Sequence, residues 1–200
     1  MNKWTLFTPT MFFFELLGRR EVRDKLAAIN EQLPLTPAMR VLEVGCGIGT
    51  VLAELSHYGC RISGVDPTAA MLWVARRRFP GADLFEEPAH AMRSIPDKSQ
   101  DISIIRSTLH GFDSQYRQQV YTEIKRVTRE AVMVIDYHET NSRLVALTEW
   151  IERSDYFRFV KVIENELTTA FPQLQILRFP GYESLYLCWM QKLDRATARS

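Results

Sequence analysis

Residues 41–50 read VLEVGCGIGT. An apolar run holding Glu43 gives way to Gly45, Gly47 and Gly49, which alternate with other residues. Such a change reads as a strand turning into a helix, because glycine accepts positive φ and lets a ligand approach the backbone. Turns of this kind ordinarily hold phosphate, and dinucleotide sites space their glycines GxGxxG. Here the third glycine comes one residue early, and no Gly-Lys-Ser/Thr follows. Glu43 would also set negative charge against a diphosphate, whereas its sign suits an ammonium or sulfonium group. Asp66, at the end of the next apolar segment, is placed to accept hydrogen bonds from both hydroxyls of a ribose. The ligand so described has a ribose, little or no phosphate and a cationic amino-acid end. S-adenosylmethionine fits all three; NAD fits only the ribose.

Outward from the turn, strands and helices alternate. Val22, Leu26, Ile29 and Leu33 recur at helical spacing, which predicts an amphipathic helix over 20–33 that stops before Pro34. Strands are expected at 40–44, 60–65, 82–85, 101–105 and 131–136. Between them lie a helix with Val51, Leu52 and Leu55 that ends near Gly59, and one opened by Pro67 that runs to about Phe79. Tyr116, Val120, Ile124 and Val127 mark a further helix, capped by Ser114. Helical patterns at 142–153 and 158–170 precede two final strands, QILRF and SLYLCWM, joined by a turn with Pro180 and Gly181.

Near-continuous apolar strands separated by helices indicate a parallel sheet covered on both faces. The last two strands have no helix between them and should pair antiparallel. The expected fold is α/β, Rossmann-like and doubly wound: a mostly parallel seven-stranded sheet with an antiparallel strand near one edge. Its ligands would bind beyond the carboxyl ends of the strands, beside the first strand.

Two hundred residues suit one domain, and 25 basic residues against 24 acidic give a net charge of +1. No bulk field therefore favours nucleic acid or an anionic membrane. Arg19-Arg20 and Arg76-Arg77-Arg78 read as solvated helix faces. Cys46, Cys60 and Cys188 are odd in number and lack CxxC spacing, which argues against a disulfide framework or a zinc site and suits a reducing cytoplasm. The apolar cluster from Met11 to Phe14 is cut off by Glu15, too short for a membrane span or a signal peptide. The expectation is a mature cytoplasmic protein.

VLEVGCGIGT, then GVDPT, then QDISII resembles the class I S-adenosylmethionine-dependent methyltransferases, in particular the small ubiquinone-biosynthesis type, over residues 36–138. The resemblance implies that Gly45, Cys46, Gly47 and Gly49 line the methionine and ribose end of the cofactor. Glu43 would act near its amino group or order the loop, and Asp66 would hold the ribose. Pro67, Met71 and Ala89 would lie near adenine. Where the family often carries Gly-Asp-Ala, this chain has Glu87-Pro88-Ala89, so that adenine contact must come from elsewhere, with Glu87 and His90 as candidates. The implied layout is a single domain: a cap segment over 1–35, a cofactor core over 36–138 and an acceptor side over 139–200.

Methyl transfer from a sulfonium is an in-line displacement that asks chiefly for orientation and, for a protonated acceptor, a base. His110 follows the fourth strand, and Tyr137 and His138 follow the fifth; these are the catalytic candidates, the alternatives being that His110 caps or orders the loop before the next helix and that His138 is an exposed loop histidine. Arg106 is counted with the cofactor residues, with an anionic acceptor or a surface or structural ion pair as its other readings. Asp101 reads as a structural residue. Trp4, Phe7, Phe12, Phe13 and Phe14, and later Tyr156, Phe157 and Phe159, either flank the cleft or pack the core. No [DN]-P-P-[YFW] follows the fourth strand, no Pro-Cys is present and no acidic metal cluster is evident. The expected activity is methylation of a small-molecule acceptor without a metal, with at most a second copy of the chain as partner. A nucleic-acid or protein methyltransferase, and a non-catalytic cofactor-binding regulatory partner, remain as alternatives.

Overall fold

The computed structural model describes residues 19–138 and 155–192. Helix α1 (Arg19–Gln32) precedes strand β1 (Arg40–Val44), and the short helix α2 (Thr50–Leu55) follows the glycine turn. Strand β2 (Arg61–Val65), helix α3 (Ala69–Arg78) and strand β3 (Asp83–Phe85) come next. Strand β4 (Gln100–Arg106), helix α4 (Ser114–Val127) and strand β5 (Thr128–Tyr137) follow. Helix α5 (Tyr156–Ala170) and strands β6 (Gln173–Arg178) and β7 (Glu183–Trp189) end the described chain.

The strands form one sheet in the order β3-β2-β1-β4-β5-β7-β6. β1 to β5 pair in parallel, and β7 runs antiparallel to both its neighbours, β5 and β6. The expected architecture is the observed one, with the antiparallel strand one place in from the edge.

Side-chain alternation within the strands sorts the core into two layers. Leu42 and Val44 of β1 join Val120, Ile124, Phe159 and Ile163 beneath α4 and α5. Val41 joins Val22, Leu26, Ile29 and Leu55 beneath α1 and α2. Both sheet faces are dry, so Ile102, Ile104 and Ile105 follow no polar alternation. Each such fully buried side chain contributes about 1.5–3 kcal/mol of transfer free energy.

Two expected helix starts shift. Pro67 does not open α3: Thr68 is its N-cap, at φ −106° and ψ 100°, and the helix begins at Ala69. The Thr68 amide donates to Asp66 Oδ1 at 2.8 Å, which folds the chain over Pro67 before the helix can start. Helix α4 is capped by Asp113 rather than Ser114, since the Asp113 carboxylate accepts from the Tyr116 amide at 2.8 Å. The Ser114 hydroxyl is drawn instead to Glu166 at 3.0 Å. Asp101 has the structural place expected of it, accepting from the Arg40 amide at 2.8 Å and from Arg129 at 3.0 Å. The N-terminal aromatics and the helical pattern at 142–153 lie outside the described residues.

Helices α4 and α5 are joined by a fully buried cation. Arg117 holds Glu166 through two parallel hydrogen bonds of 2.8 and 2.9 Å and reaches Asp155 at 2.9 Å. Tyr121 donates to the same Glu166 at 3.1 Å. Bidentate guanidinium–carboxylate pairs carry geometry as well as energy, so this contact sets where α5 begins. Among the described residues no helix is long and apolar enough to cross a membrane. Arg117→Met should cost about 3–5 kcal/mol in urea unfolding, because it strands two carboxylates that the guanidinium had paired.

Candidate active site

The chain passes from β1 outward through β2 to β3, then returns to β4 on the other flank of β1. Connections that diverge in this way open a crevice at the carboxyl ends of the strands. The glycine turn, Asp66 and the segment after β4 all converge there.

Gly45, Gly47 and Gly49 have φ of 75°, 50° and 85°. A Cβ on Gly45 would sit 2.8 Å from the Thr108 hydroxyl, and one on Gly49 would sit 2.7 Å from the Phe79 ring. The turn is therefore held between the loop after β4 and the end of α3, and only glycine fits. Four of its amides are spent inside the protein: Gly45 and Cys46 donate to Val65 O, Gly47 to Asp66 Oδ2 and Gly49 to Cys46 O. Phosphate cradles present such amides to the ligand, and this turn directs these four inward instead. Glu43, 3% exposed, accepts from the Leu52 amide at 3.1 Å and so ties β1 to α2. The Cys46 side chain packs beneath the turn against Leu52 and Leu72.

Asp66 accepts from the Gly47 amide at 3.0 Å and the Thr68 amide at 2.8 Å, one on each oxygen. The Thr68 side chain adds a third donor, and a carboxylate offers about four lone-pair sites, so room remains for a hydroxyl donor. Burial pushes the Asp66 carboxyl above the usual carboxylate range, and the hydrogen bonds from Thr68 and Gly47 pull part of the way back. Pro67 is exposed beside it, while Met71 and Ala89 are buried. Glu87 is engaged by the Ser94 amide and hydroxyl at 3.1 and 2.8 Å, and His90 Nδ1 by the Tyr116 hydroxyl at 2.7 Å.

A buried polar contact beside the crevice joins the end of β5 to the loop after β4. Asp136, 1% exposed, lies 2.7 Å from His110 Nδ1 through its Oδ1. Its Oδ2 accepts from the amides of Thr108, Leu109 and His110 at 3.2, 3.0 and 3.4 Å, and its Oδ1 also accepts from the Tyr137 amide at 2.8 Å. One carboxylate thus fixes both the loop and the histidine ring. The ring meets Tyr137 at a centroid distance of 4.7 Å and Phe159 at 6.3 Å. The Asp155 amide donates to His110 O at 3.1 Å, so the start of α5 is seated on this loop.

Tyr137 stands at the centre of an aromatic wall, 5.2 Å from Tyr156 and 5.5 Å from Tyr182. Phe159 is core, and Phe157 is half exposed. The structure does not join His138 to His110. Its Nδ1 lies 3.1 Å from the Ser184 hydroxyl on β7, and burial with the Arg178 charge pushes its imidazole below the usual value. Arg106, the last residue of β4, lies 3.5 Å from Glu183, which is also held by Lys25 at 2.8 Å and Ser107 at 2.9 Å. Ser107 is left-handed at φ 46°, a strain held by that hydroxyl bond and by its amide on Ile135 O.

Sequence reasoning placed His110 here but missed what Asp136 does, since the two are 26 residues apart. Lys25 and Glu183, 158 residues apart, gave no signal at all. A cavity of about 310 Å³ lined by Arg40, Arg61, Ser63 and Gln100 lies at the opposite, amino-terminal edge of the sheet. Among the described residues no group of three or more His, Cys, Asp or Glu is set to hold a metal ion.

With this geometry in view, residues 42–135 match a family model described as a methyltransferase domain. Over those residues, just under half of the chain, it is similar to methyltransferase domains. Trans-aconitate 2-methyltransferase of Paracidovorax citrulli is 34% identical over 112 residues, covering 54% of this chain and 40% of the relative. Protein-L-isoaspartate O-methyltransferase of Cronobacter sakazakii is 42% identical over 59 residues, 30% of this chain and 28% of its own. The chain thus spans less than half the length of these curated relatives. A SAM-dependent methyltransferase from Aquifex aeolicus superposes with a TM-score of 0.71 at 18% identity, over 92% of this chain and 98% of its own. Magnesium protoporphyrin IX methyltransferase from Synechocystis, crystallised with bound SAH, gives 0.62 at 12% identity, over 86% and 82%. At these identities the shared property is the fold.

Within the matched residues, the raised carboxyl of Asp66 has a definite signature. Its folded-state pKa lies above the unfolded value, so its contribution to stability is complete below the unfolded pKa and vanishes as pH rises through the folded one. Asp66→Asn should flatten the part of the urea-unfolding profile that falls as pH rises past the ordinary aspartate range. A variant whose profile matched the parent's would show that Asp66 titrates normally.

Proposed function

We propose that the chain is an S-adenosylmethionine-dependent methyltransferase acting on a small-molecule acceptor. The observation that carries this reading is the glycine turn at the β1/β4 crevice, its amides turned inward onto Val65 and Asp66, with buried carboxylates at Glu43 and Asp66 on either side. Such a site repels a diphosphate and suits a ribose joined to a cationic amino acid. Asp66 would take a ribose hydroxyl on its remaining lone-pair site, and the Gly45–Gly49 turn would admit the methionine end. Pro67, Met71 and Ala89 would lie towards adenine, Glu43 would act by fixing the turn, and Cys46 by packing beneath it. When bound, S-adenosylmethionine supplies a methyl group on cationic sulfur whose leaving thioether is neutral.

The protein's own part is orientation and proton removal. Asp136 holds the His110 ring by its Nδ1 edge, and the carboxylate itself is pinned by four backbone amides. The ring therefore meets an acceptor hydroxyl or thiol in one orientation and takes its proton at Nε2. Tyr137, Tyr156 and Tyr182 would form the acceptor's apolar wall and limit the water around it. His138, lowered in basicity and drawn towards Ser184, would shape the far end of the pocket. The trans-aconitate enzyme among the relatives is a precedent for a small acceptor, and trans-aconitate is the first compound to test.

The deciding experiment is a screen of small acceptors with radiolabelled S-adenosylmethionine, run beside calorimetry with S-adenosylhomocysteine. Asp66→Ala should weaken S-adenosylhomocysteine binding at least roughly tenfold, as expected for lost hydrogen bonds to a charged group. For a hydroxyl or thiol acceptor, His110→Ala should lower kcat by roughly 10²–10⁴ with cofactor affinity unchanged. Failure of the parent protein to bind S-adenosylhomocysteine would sink the reading.

A further inference from the structure

We propose that Arg106 is a receptor for a carboxylate in this crevice. The inference rests on the S-adenosylmethionine reading above and deepens it, because it names the chemistry of one ligand group.

Arg106 ends β4, paired in register with Ile135. Its carbonyl accepts from the Thr108 hydroxyl at 2.7 Å, and Thr108 packs on Gly45. The residue is therefore at the level of the glycine turn, on the carboxyl edge where the ligand groups converge. Its side chain is 13% exposed, and its Nε is buried without a hydrogen-bond partner. Among the described residues the guanidinium makes one hydrogen bond, a long one of 3.5 Å to Glu183 Oε1. That carboxylate is already engaged more tightly by Lys25 at 2.8 Å and by Ser107 at 2.9 Å.

The local charge is out of balance in the same sense. Lys25 is 3% exposed and the Arg106 side chain 13%, and among the described residues the buried anion paired with both is Glu183. Glu21 reaches Lys25 only at 3.9 Å and is half exposed. A buried guanidinium N–H without an acceptor costs free energy until an anion meets it. The planar fork of arginine matches the two oxygens of a carboxylate. Burial, with the charges of Glu21 and Glu183, pushes the Tyr182 phenol up and Arg106 pulls it part of the way back, and the Tyr182 ring leads through Tyr137 to His110. A ligand carboxylate at Arg106 would thus share one continuous surface with both the glycine turn and the histidine.

That carboxylate has two sources, the methionine end of the cofactor or the acceptor, and one variant set separates them. Calorimetry on the parent, Arg106→Met and Arg106→Lys would use S-adenosylhomocysteine and its decarboxylated analogue. A second series would add fumarate, tricarballylate and 4-hydroxybenzoate, each beside its amide, to the S-adenosylhomocysteine complex. If the cofactor supplies the group, Arg106→Met weakens S-adenosylhomocysteine roughly tenfold or more, leaves the decarboxylated analogue unchanged, and Arg106→Lys recovers part of the loss. If the acceptor supplies it, cofactor affinity is unchanged and an acid binds the parent, but not Arg106→Met, more tightly than its amide does. Equal binding of every probe by parent and Arg106→Met, at matched melting temperatures, overturns the proposal and leaves the cofactor reading standing. Loss of folding in Arg106→Met transfers the comparison to Arg106→Lys, which keeps the charge without the fork. A parent that binds no S-adenosylhomocysteine overturns both.

Discussion

The Asp136 carboxylate is the contact on which the working edge of this molecule depends. It lies at the end of β5, almost wholly out of water, and gathers the amides of Thr108, Leu109, His110 and Tyr137 together with the His110 ring. A buried acceptor that collects several donors fixes all of them at once, because each donor left unsatisfied would cost about 1–3 kcal/mol. The loop after β4 is fixed in this way, and Thr108 is pressed against Gly45. The glycine turn and the histidine are thereby parts of one rigid edge, although they belong to different βα units.

A second layer supports that edge from the helices. Arg117 pairs with Glu166 and Asp155, which fixes the start of α5, and the Asp155 amide closes back onto His110 O. On the opposite face Lys25 of α1 reaches Glu183 of β7, which also restrains the strained Ser107. Buried ion pairs add little net stability beside apolar substitutes, but they fix geometry, since a broken pair is costly. Here both pairs lie directly beneath the carboxyl ends of the strands, where geometry matters to a reaction that depends on orientation.

The fold was largely legible because apolar patterning carries it. The runs RVLEV, ISGV and ISII are too continuous for a half-solvated sheet, and the helices between them repeat at 3.6 residues. The helix starts were less legible. Asp113 and Ser114 are both good caps, and only the position of Glu166, far along the chain, decides that Ser114 turns away from the helix end. Pro67 suits a first helical position by local preference, yet Asp66 spends one oxygen on the Thr68 amide and delays the helix. Glu87 and His90, the sequence's candidates for an adenine contact, are engaged by Ser94 and Tyr116.

By itself the sequence determined the sheet and the turn, because hydrophobic period and glycine spacing are local properties of the chain. Tertiary structure decided which of the candidate groups act together. His110 gains a partner in Asp136 while His138 is drawn to Ser184, and Arg106 is left with an unmet donor because Lys25 and Ser107 have taken Glu183. Each of those outcomes turns on a side chain 26 or more residues distant, and a hydrogen bond depends on position in space, not on separation along the chain.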